Sequence, residues 1–318
     1  AIKINDLMQP SYLIENKNSY PNEPALSVKI DDEWSILTWS EYYDYVVKIA
    51  KSLIGCNLNV NDKGAIYSYN RKEWFGCYSA MQMLNCVSVA VYHTSSSSEV
   101  EWIVGNSDSK IIFVGHNPND NGEDDKMPIN RLIAIIDKLP DLERIVLMGD
   151  NEASVKHEKI ISWDRFIEQG KDVSDNELED RMKTINGDDT SSLIYTSGTT
   201  GNPKGVELTH NNFKIELDSV GEVLKFDQGD RYVSWLPLAH VFGQLVDNHY
   251  WVRRALHMSI VDSPLNTVDY AKEVQPHLFI SVPGIYEKVY SNLKAAIETK
   301  AILKIGLKIP LLLSLIHI

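Results

Sequence analysis

Residues 191–206 read SSLIYTSGTTGNPKGV, an apolar run that gives way to hydroxyls, glycines, a proline and one lysine before valine resumes. A Walker A loop needs GxxxxGK[ST], but five residues beyond Gly198 stands Pro203, and Gly205 follows Lys204. The dinucleotide fingerprint GxGxxG is absent, and no helix pattern opens directly behind the glycines. Apolar segments on both sides, LIYT and VEL, predict a strand–loop–strand turn. Its chemistry suits a polyphosphate. Gly198, Gly201 and Gly205 let backbone N–H groups line an anion-binding concavity. Thr196, Ser197, Thr199 and Thr200 offer hydroxyl donors. Lys204 adds a flexible point charge able to follow a phosphate, and Pro203 stiffens the exit. A solvent-exposed turn rich in turn-forming residues is the plainer reading of the same letters.

Outward from this loop the chain alternates strand and helix. Residues 25–38 read as a hairpin, ALSVKI and WSILT, across Asp31, Asp32 and Glu33. The next helix starts at a capping box of Thr38 and Glu41, with Leu37 and Tyr42 as a hydrophobic staple and Gly55 as its C′ residue. Strands are expected at 64–70, 88–93, 110–115 and 144–149, and helices at 71–87, 96–107 and 130–139. A polar passage from Glu152 to Asp189 follows, with one helix around WDRFIEQG. After the glycine loop, strands at 232–236, 257–262 and 278–283 alternate with helices at 210–224, 240–252, 268–275 and 286–300. This rhythm predicts an α/β fold of two similar subdomains, each with a mostly parallel sheet flanked by helices. The division is residues 1–185, carrying the N-terminal hairpin, and 186–300, carrying the phosphate loop, with 301–318 as a tail.

The full string YTSGTTGNPKGV resembles the signature loop of the adenylate-forming superfamily, which includes acyl-CoA synthetases, luciferases and peptide-synthetase adenylation domains. WLPLAHVFGQ (235–244) resembles that family's second signature, a strand end running into a helix that starts at a histidine or aromatic residue. By that resemblance His240 sits where nucleotide and carboxylate meet, and Val241, Phe242 and Gly243 open the acyl pocket. From the residue alone, His240 equally suits a helix N-terminus satisfied by a backbone group. SVPGIYEKVY (281–290) resembles a VPR-x-x-EK-I stretch of fatty-acyl-CoA synthetases, with Gly284 in place of the arginine and Glu287 and Lys288 retained. TWSEYY, EWF and LPLAHVFGQ are most similar to the bubblegum-type branch of the long-chain enzymes. The likeness runs from about Tyr20 to about Lys300.

The resemblance implies the large N-terminal domain of the adenylate-forming fold, truncated, and ATP-dependent conversion of a long-chain fatty acid to an acyl-adenylate and then an acyl-CoA. Thr196, Lys204 and His240 are the residues it implies for catalysis, and Thr196 to Gly201 with Lys204 and Gly205 for holding the nucleotide. Magnesium and CoA are implied as well. No metal ligand is identified, because the segments supplying the family's glutamate and ribose-binding aspartate do not appear before the chain ends. A fragment of this extent is expected to have little ligase activity alone. The alternatives are an adenylate-former for another carboxylic acid and a non-catalytic nucleotide- or acyl-binding fragment.

Composition narrows the partners. The 318 residues carry 31 Lys and Arg against 44 Asp and Glu, a net charge of −13 with no basic stripe, which argues against nucleic acid. Cys56, Cys77 and Cys86 lack CxxC spacing and read as free thiols of a reducing compartment. The beginning lacks a signal-peptide pattern, and IPLLLSLIHI at the end is too short to cross a bilayer. A cytoplasmic enzyme is expected, with peripheral membrane contact through its lipid-soluble substrate. Oligomeric state has no signature in the sequence.

Overall fold

The computed structural model describes residues 8–116, 127–149, 156–196 and 201–284, together with Tyr286, Glu287, Tyr290, Ser291 and Lys294. The chain divides into two units, Ala1–Leu278 and Phe279–Ile318.

In the first unit, strands β1 (Pro24–Ile30), β2 (Glu33–Thr38), β3 (Lys63–Tyr67), β4 (Val87–Val91), β5 (Ser109–Val114), β6 (Arg144–Leu147), β7 (Ile160–Ser162), β8 (Thr190–Thr196), β9 (Lys204–Thr209), β10 (Arg231–Ser234) and β11 (His257–Ile260) form two sheets. The larger has seven strands in the order β7-β6-β5-β3-β4-β8-β9, and the smaller has four in the order β10-β11-β1-β2. All neighbours in the larger sheet are parallel except β8 and β9, which form the antiparallel hairpin expected around the glycine loop. In the smaller sheet β1 runs parallel to β11, with Leu26 opposite Met258, and antiparallel to β2.

The expected division at residue 185 therefore does not follow the sheets. β8 and β9 belong to the same sheet as β3–β7, and the early hairpin β1–β2 completes a sheet begun by β10 and β11. Alternating apolar residues identify a strand but carry no label for its partner, and strands buried on both faces read alike wherever they pair.

The helices are α1 (Gln9–Ser19), α2 (Trp39–Gly55), α3 (Lys72–Met83), α4 (Ser97–Asn106), α5 (Pro128–Ile133), α6 (Trp163–Glu168), α7 (Asp175–Met182), α8 (His210–Val223), α9 (Val241–Gly243), α10 (Trp251–Arg254) and α11 (Thr267–Val274). Successive residues along the central strands feed opposite faces, as the two-residue period of a strand requires. Ile66, Ala90, Ile111, Phe113 and Val146 join the core under α2 and α3. Ala65, Tyr67, Val89, Ile112 and Ile145 join the second core, which also contains Val100, Ile103 and Val104 of α4.

The capping box at Thr38 and Glu41 is present: the Thr38 hydroxyl accepts from the Glu41 amide, and Glu41 Oε2 accepts from the Thr38 amide at 2.8 Å. Gly55 is not a C′ residue. It is the last residue of α2, Cys56 caps the helix at φ −83°, and a Cβ on Gly55 would run into the Gln169 carbonyl. The glycine serves a close approach between chain segments instead of a left-handed turn. The helix expected over 130–139 breaks after Ile133 and resumes as one 3-10 turn, Ile136–Lys138, so that Ile135, Ile136 and Leu139 are all buried. α1, α7 and β7 have no counterpart in the sequence reading. The strand expected at 278–283 is reduced, among the described residues, to one bridge between Leu278 and Tyr232.

A cluster of aromatics explains why residues near 25 and 250 meet. Trp251 stacks on Trp39 with ring centroids 5.3 Å apart, and its indole N–H donates to the carbonyls of Ala25 and Leu256. In the second unit, Pro283, Gly284, Tyr286, Glu287 and Tyr290 have helical backbone. A Cβ on Gly284 would meet nothing within 4 Å. Lys288 and the tail 301–318 lie outside the described residues.

Candidate functional site

β8 ends at Thr196 and β9 begins at Lys204, and these two residues are paired across the hairpin, followed by Tyr195 with Gly205. The loop is thus anchored on a ladder whose other edge is the parallel pair β8–β4. Ser197, Gly198, Thr199 and Thr200 lie outside the described residues. Gly201 has φ +111°, a left-handed conformation open mainly to glycine, and open space around its missing Cβ. Lys204 is exposed and has no carboxylate partner among the described residues. Gly205 meets the ring of Tyr195, whose phenol burial pushes up to about 12.

His240 reaches the same neighbourhood from the smaller sheet. After β10 the chain turns through Leu236 and Pro237, and the Leu236 carbonyl is held by the Asn70 amide at 2.9 Å. His240 is the N-cap of α9, with its Nδ1 accepting from the Phe242 amide at 3.2 Å. The backbone-satisfied role is therefore met, through the Phe242 amide. With Nδ1 occupied as an acceptor, the neutral ring carries its proton on Nε2. Gly243 is buried where a Cβ would stand 2.5 Å from the Pro237 carbonyl oxygen, so glycine is what lets the turn close.

The helix expected to run uninterrupted from 240 to 252 is wound differently. α9 covers only Val241–Gly243, and Gln244–Tyr250 is π-helical before α10 begins at Trp251. All seven π-helical residues are buried, four of them polar. Ser192 Oγ donates to Gln244 Oε1 at 2.8 Å, Ser234 Oγ donates to Asp247 Oδ2 at 2.5 Å, and Tyr78 OH lies 2.7 Å from His249 Nε2. These bonds attach one helical segment to both sheets and to α3. Burial raises the Asp247 carboxyl to about 7 against the opposing bond from Ser234. Burial, aided by the His210 charge, lowers His249 to about 3. Wide helical winding of this kind recurs at functional sites because it redirects side chains without ending the helix.

A cavity of about 520 Å³ lies where these parts converge, within the range of small-molecule sites. The glycine-loop hairpin contributes Ile194, Tyr195, Thr196 and Pro203, and the second signature contributes His240 and Val241. The remaining wall comes from the connection that follows β4 and from α4: Tyr92, Thr94, Ser95, Glu99 and Ile103. Glu99 is already engaged, because its Oε2 accepts from the Ser96 amide and hydroxyl as the capping box of α4.

Of the expected site residues, Thr196, His240 and Val241 line this cavity. Gly201, Lys204 and Gly205 are not among its lining residues, although Lys204 directly follows the lining residue Pro203; Phe242 is 38% exposed, and Gly243 acts on the turn through its missing side chain. The α4 wall was not anticipated, although Ser96 and Glu99 three residues apart form a capping-box signal readable in SSSSEVEW. Trp74, Phe75, Tyr78, Met81 and Met83 are fully buried core. Cys77 and Cys86 are buried and Cys56 is half-buried, all three unpaired. Among the described residues no three His, Cys, Asp or Glu side chains form a metal-binding group, and no helix is long and apolar enough to cross a membrane.

A family model described as "AMP-binding enzyme" matches residues 13–310. The human long-chain-fatty-acid–CoA ligase ACSBG2 is 31% identical over 292 residues, which cover 90% of this chain and 42% of that protein. The chain thus spans about two fifths of the length of this relative. The N-terminal domain of FACL13 from Mycobacterium tuberculosis superposes with a TM-score of 0.69 at 19% identity, covering 88% of this chain and 64% of that one. The o-succinylbenzoate CoA synthetase MenE from Bacillus subtilis, solved with its acyl-adenylate intermediate, gives a TM-score of 0.66 at 19% identity over 89% of this chain and 50% of that chain. At these identities the two solved structures establish a shared fold.

Proposed function

The chain belongs to the AMP-binding enzyme family, and from that premise we propose that it is the nucleotide-holding portion of an enzyme that joins a long-chain fatty acid to CoA through an acyl-adenylate. The observation that carries this reading is the cavity in which Thr196 and Pro203 of the glycine-loop hairpin face His240 and Val241 of the second signature. Two segments about forty residues apart in sequence meet at one concave site, and both are segments that the resemblance ties to the reaction. The name of the human relative supports the fatty-acid substrate.

In the proposed reaction a carboxylate oxygen of the acid bonds to the α-phosphorus of ATP while the bond to the bridging oxygen breaks and pyrophosphate leaves. The sulfur of CoA then bonds to the acyl carbon, AMP departs with the former carboxylate oxygen, and the thiol proton is released. Lys204 follows the negative charge as pyrophosphate leaves, and the Thr196 hydroxyl donates to a phosphate oxygen. His240, its Nδ1 occupied by the Phe242 amide, presents Nε2–H as a donor to the acid or the α-phosphate. No side chain acts as a covalent nucleophile; positioning and charge compensation supply the rate. The magnesium ion that accompanies ATP would supply charge neutralisation, but the described residues offer no cluster of three ligands for it, and no step is assigned through it. Peripheral membrane contact belongs to the same proposal, through a substrate that partitions into lipid.

The test is thermal stability of the 318-residue chain with and without MgATP, paired with a pyrophosphate assay over a panel of acids. A rise in Tm with MgATP is expected, since a ligand that binds only the folded state stabilises it. Absence of any shift at millimolar MgATP would sink the nucleotide-holding role. Binding without pyrophosphate release would favour the non-catalytic alternative for this portion of the enzyme.

A further inference from the structure

Helix α4 walls the cavity through Glu99 and Ile103, and the same helix grips the glycine-loop hairpin at two other points. Trp102 Nε1–H donates to the Pro203 carbonyl at 2.7 Å, immediately before β9. Asn106 Oδ1 accepts from the Tyr195 hydroxyl at 2.8 Å, on β8. Trp102 and Asn106 are four residues apart and share a helix face. Tyr195 in turn stands opposite Gly205 in the ladder, its ring occupying the space a side chain would take. Both strands of the hairpin are therefore attached to one helix. Pro203 has no N–H, so its carbonyl is its only backbone hydrogen-bonding group, and Trp102 takes it. The Trp102 ring is 37% exposed, so core burial does not account for its placement.

We propose that Trp102 is a positioning residue for the nucleotide: by fixing the Pro203 carbonyl it sets the direction in which β9 begins, and so where Lys204 is presented to a triphosphate. The proposal rests on the phosphate-holding role of Lys204 put forward above. Asn106, through Tyr195, supplies the matching hold on the opposite strand.

Trp102→Phe keeps an aromatic ring and removes only the donor, and Tyr195→Phe does the same on β8. Three quantities are measured on the 318-residue chain: amide exchange at Lys204, Gly205 and Val206 without nucleotide, Tm, and MgATP affinity. Trp102→Phe is expected to speed exchange at these residues about three- to tenfold, the scale of one lost hydrogen bond, with Tm lowered by no more than about 2 °C and the exchange of β3 and β4 raised less. MgATP affinity should fall by a similar factor, further in the double variant, and recover in part in Trp102→His, which restores an N–H. Unchanged exchange at these three residues would overturn the proposal. So would a rise shared equally by β3 and β4, or faster local exchange with wild-type MgATP affinity. A wild-type chain that binds no MgATP defeats the function proposed above, while the exchange comparison still decides whether Trp102 sets the start of β9.

Discussion

A Cβ placed on Gly205 would stand 3.0 Å from Cζ of Tyr195, and the hydroxyl of that tyrosine is held by Asn106 at 2.8 Å. The ring cannot retreat from a new methyl group without lengthening its own hydrogen bond. Gly205→Ala is therefore expected to cost about 1–2 kcal/mol, and the cost should shrink in a Tyr195→Phe background, where the ring is released. Thermal melts of the single and double variants check this; equal costs in both backgrounds would contradict it.

Two other glycines have opposite expectations. At Gly243 the obstacle is backbone, the Pro237 carbonyl 2.5 Å from the built Cβ, so Gly243→Ala should destabilise by about 1–3 kcal/mol and displace the turn bearing His240. Gly221, inside α8, has nothing within 4 Å. Gly221→Ala should raise stability by about 0.5–1 kcal/mol through helix propensity. Denaturant melts together with the imidazole NMR signals of His240 distinguish local displacement from general loss.

Asp247 predicts stability that falls as pH rises. Its folded-state value, raised by burial to about 7, exceeds the ordinary carboxyl value of 3.8, so between these limits the folded chain holds a proton that the unfolded chain has lost. The contribution declines by about 1.4 kcal/mol per pH unit across that window and is level above it. Asp247→Asn keeps an acceptor for Ser234 and removes the titration. The variant should be on the order of 2–4 kcal/mol more stable than wild type at pH 8, with the gap closing near pH 4. A gap independent of pH would rule this out.

The buried histidines act in the reverse sense. Burial lowers His210 to about 4, against the pull of Asp189, and His249 to about 3. The unfolded chain takes up protons below the ordinary histidine range while the folded chain does not, so stability present above about pH 6.5 is lost on acidification. His210→Gln removes one of the two groups and should reduce the slope between about pH 6 and 4 by about 1.4 kcal/mol per unit. An unaltered acid limb would mean that His210 is charged in the folded chain.

Lys204→Ala tests the proposed grip on phosphate. The side chain is exposed and has no ion-pair partner among the described residues, so Tm without nucleotide should not move. MgATP affinity should fall about ten- to a hundredfold, the range of a charge-assisted hydrogen bond. Isothermal titration with MgATP measures it, and undiminished affinity would exclude Lys204 from the site.

Local signals were legible where chemistry acts over a few residues. Thr38 with Glu41 marked a helix start, and the apolar runs around the glycine loop marked a hairpin. Gly55 was misread because a C′ glycine and a close-contact glycine look alike until Gln169 is seen against it. The sheet assignment was not legible for a similar reason: ALSVKI and HMSIVD each announce a strand, and nothing in either names the other. Thr196 and His240 could be placed at one site only through resemblance. The wall formed by Thr94, Ser95 and Glu99 escaped notice because serines read as a polar link and a cap, and its position across from His240 exists only after β4 pairs with β8.

The pairing of β1 with β11 also has a consequence in time. Leu26 awaits Met258, and the Asn16 side chain awaits the Val252 carbonyl, which it meets at 2.6 Å across 236 residues of chain. At about 5–20 residues per second, a ribosome emits that interval in on the order of 10–50 s. Throughout it the β1–β2 hairpin has a strand edge without its native neighbour, and an isolated hairpin is at best marginally stable in water. The larger sheet, whose β3 to β9 emerge in one continuous stretch, can pair first. Residues 9–38 are thus synthesised well before, and seated only after, the strand that completes their sheet, so an unpaired β1 edge has to stay out of wrong pairings until β11 appears.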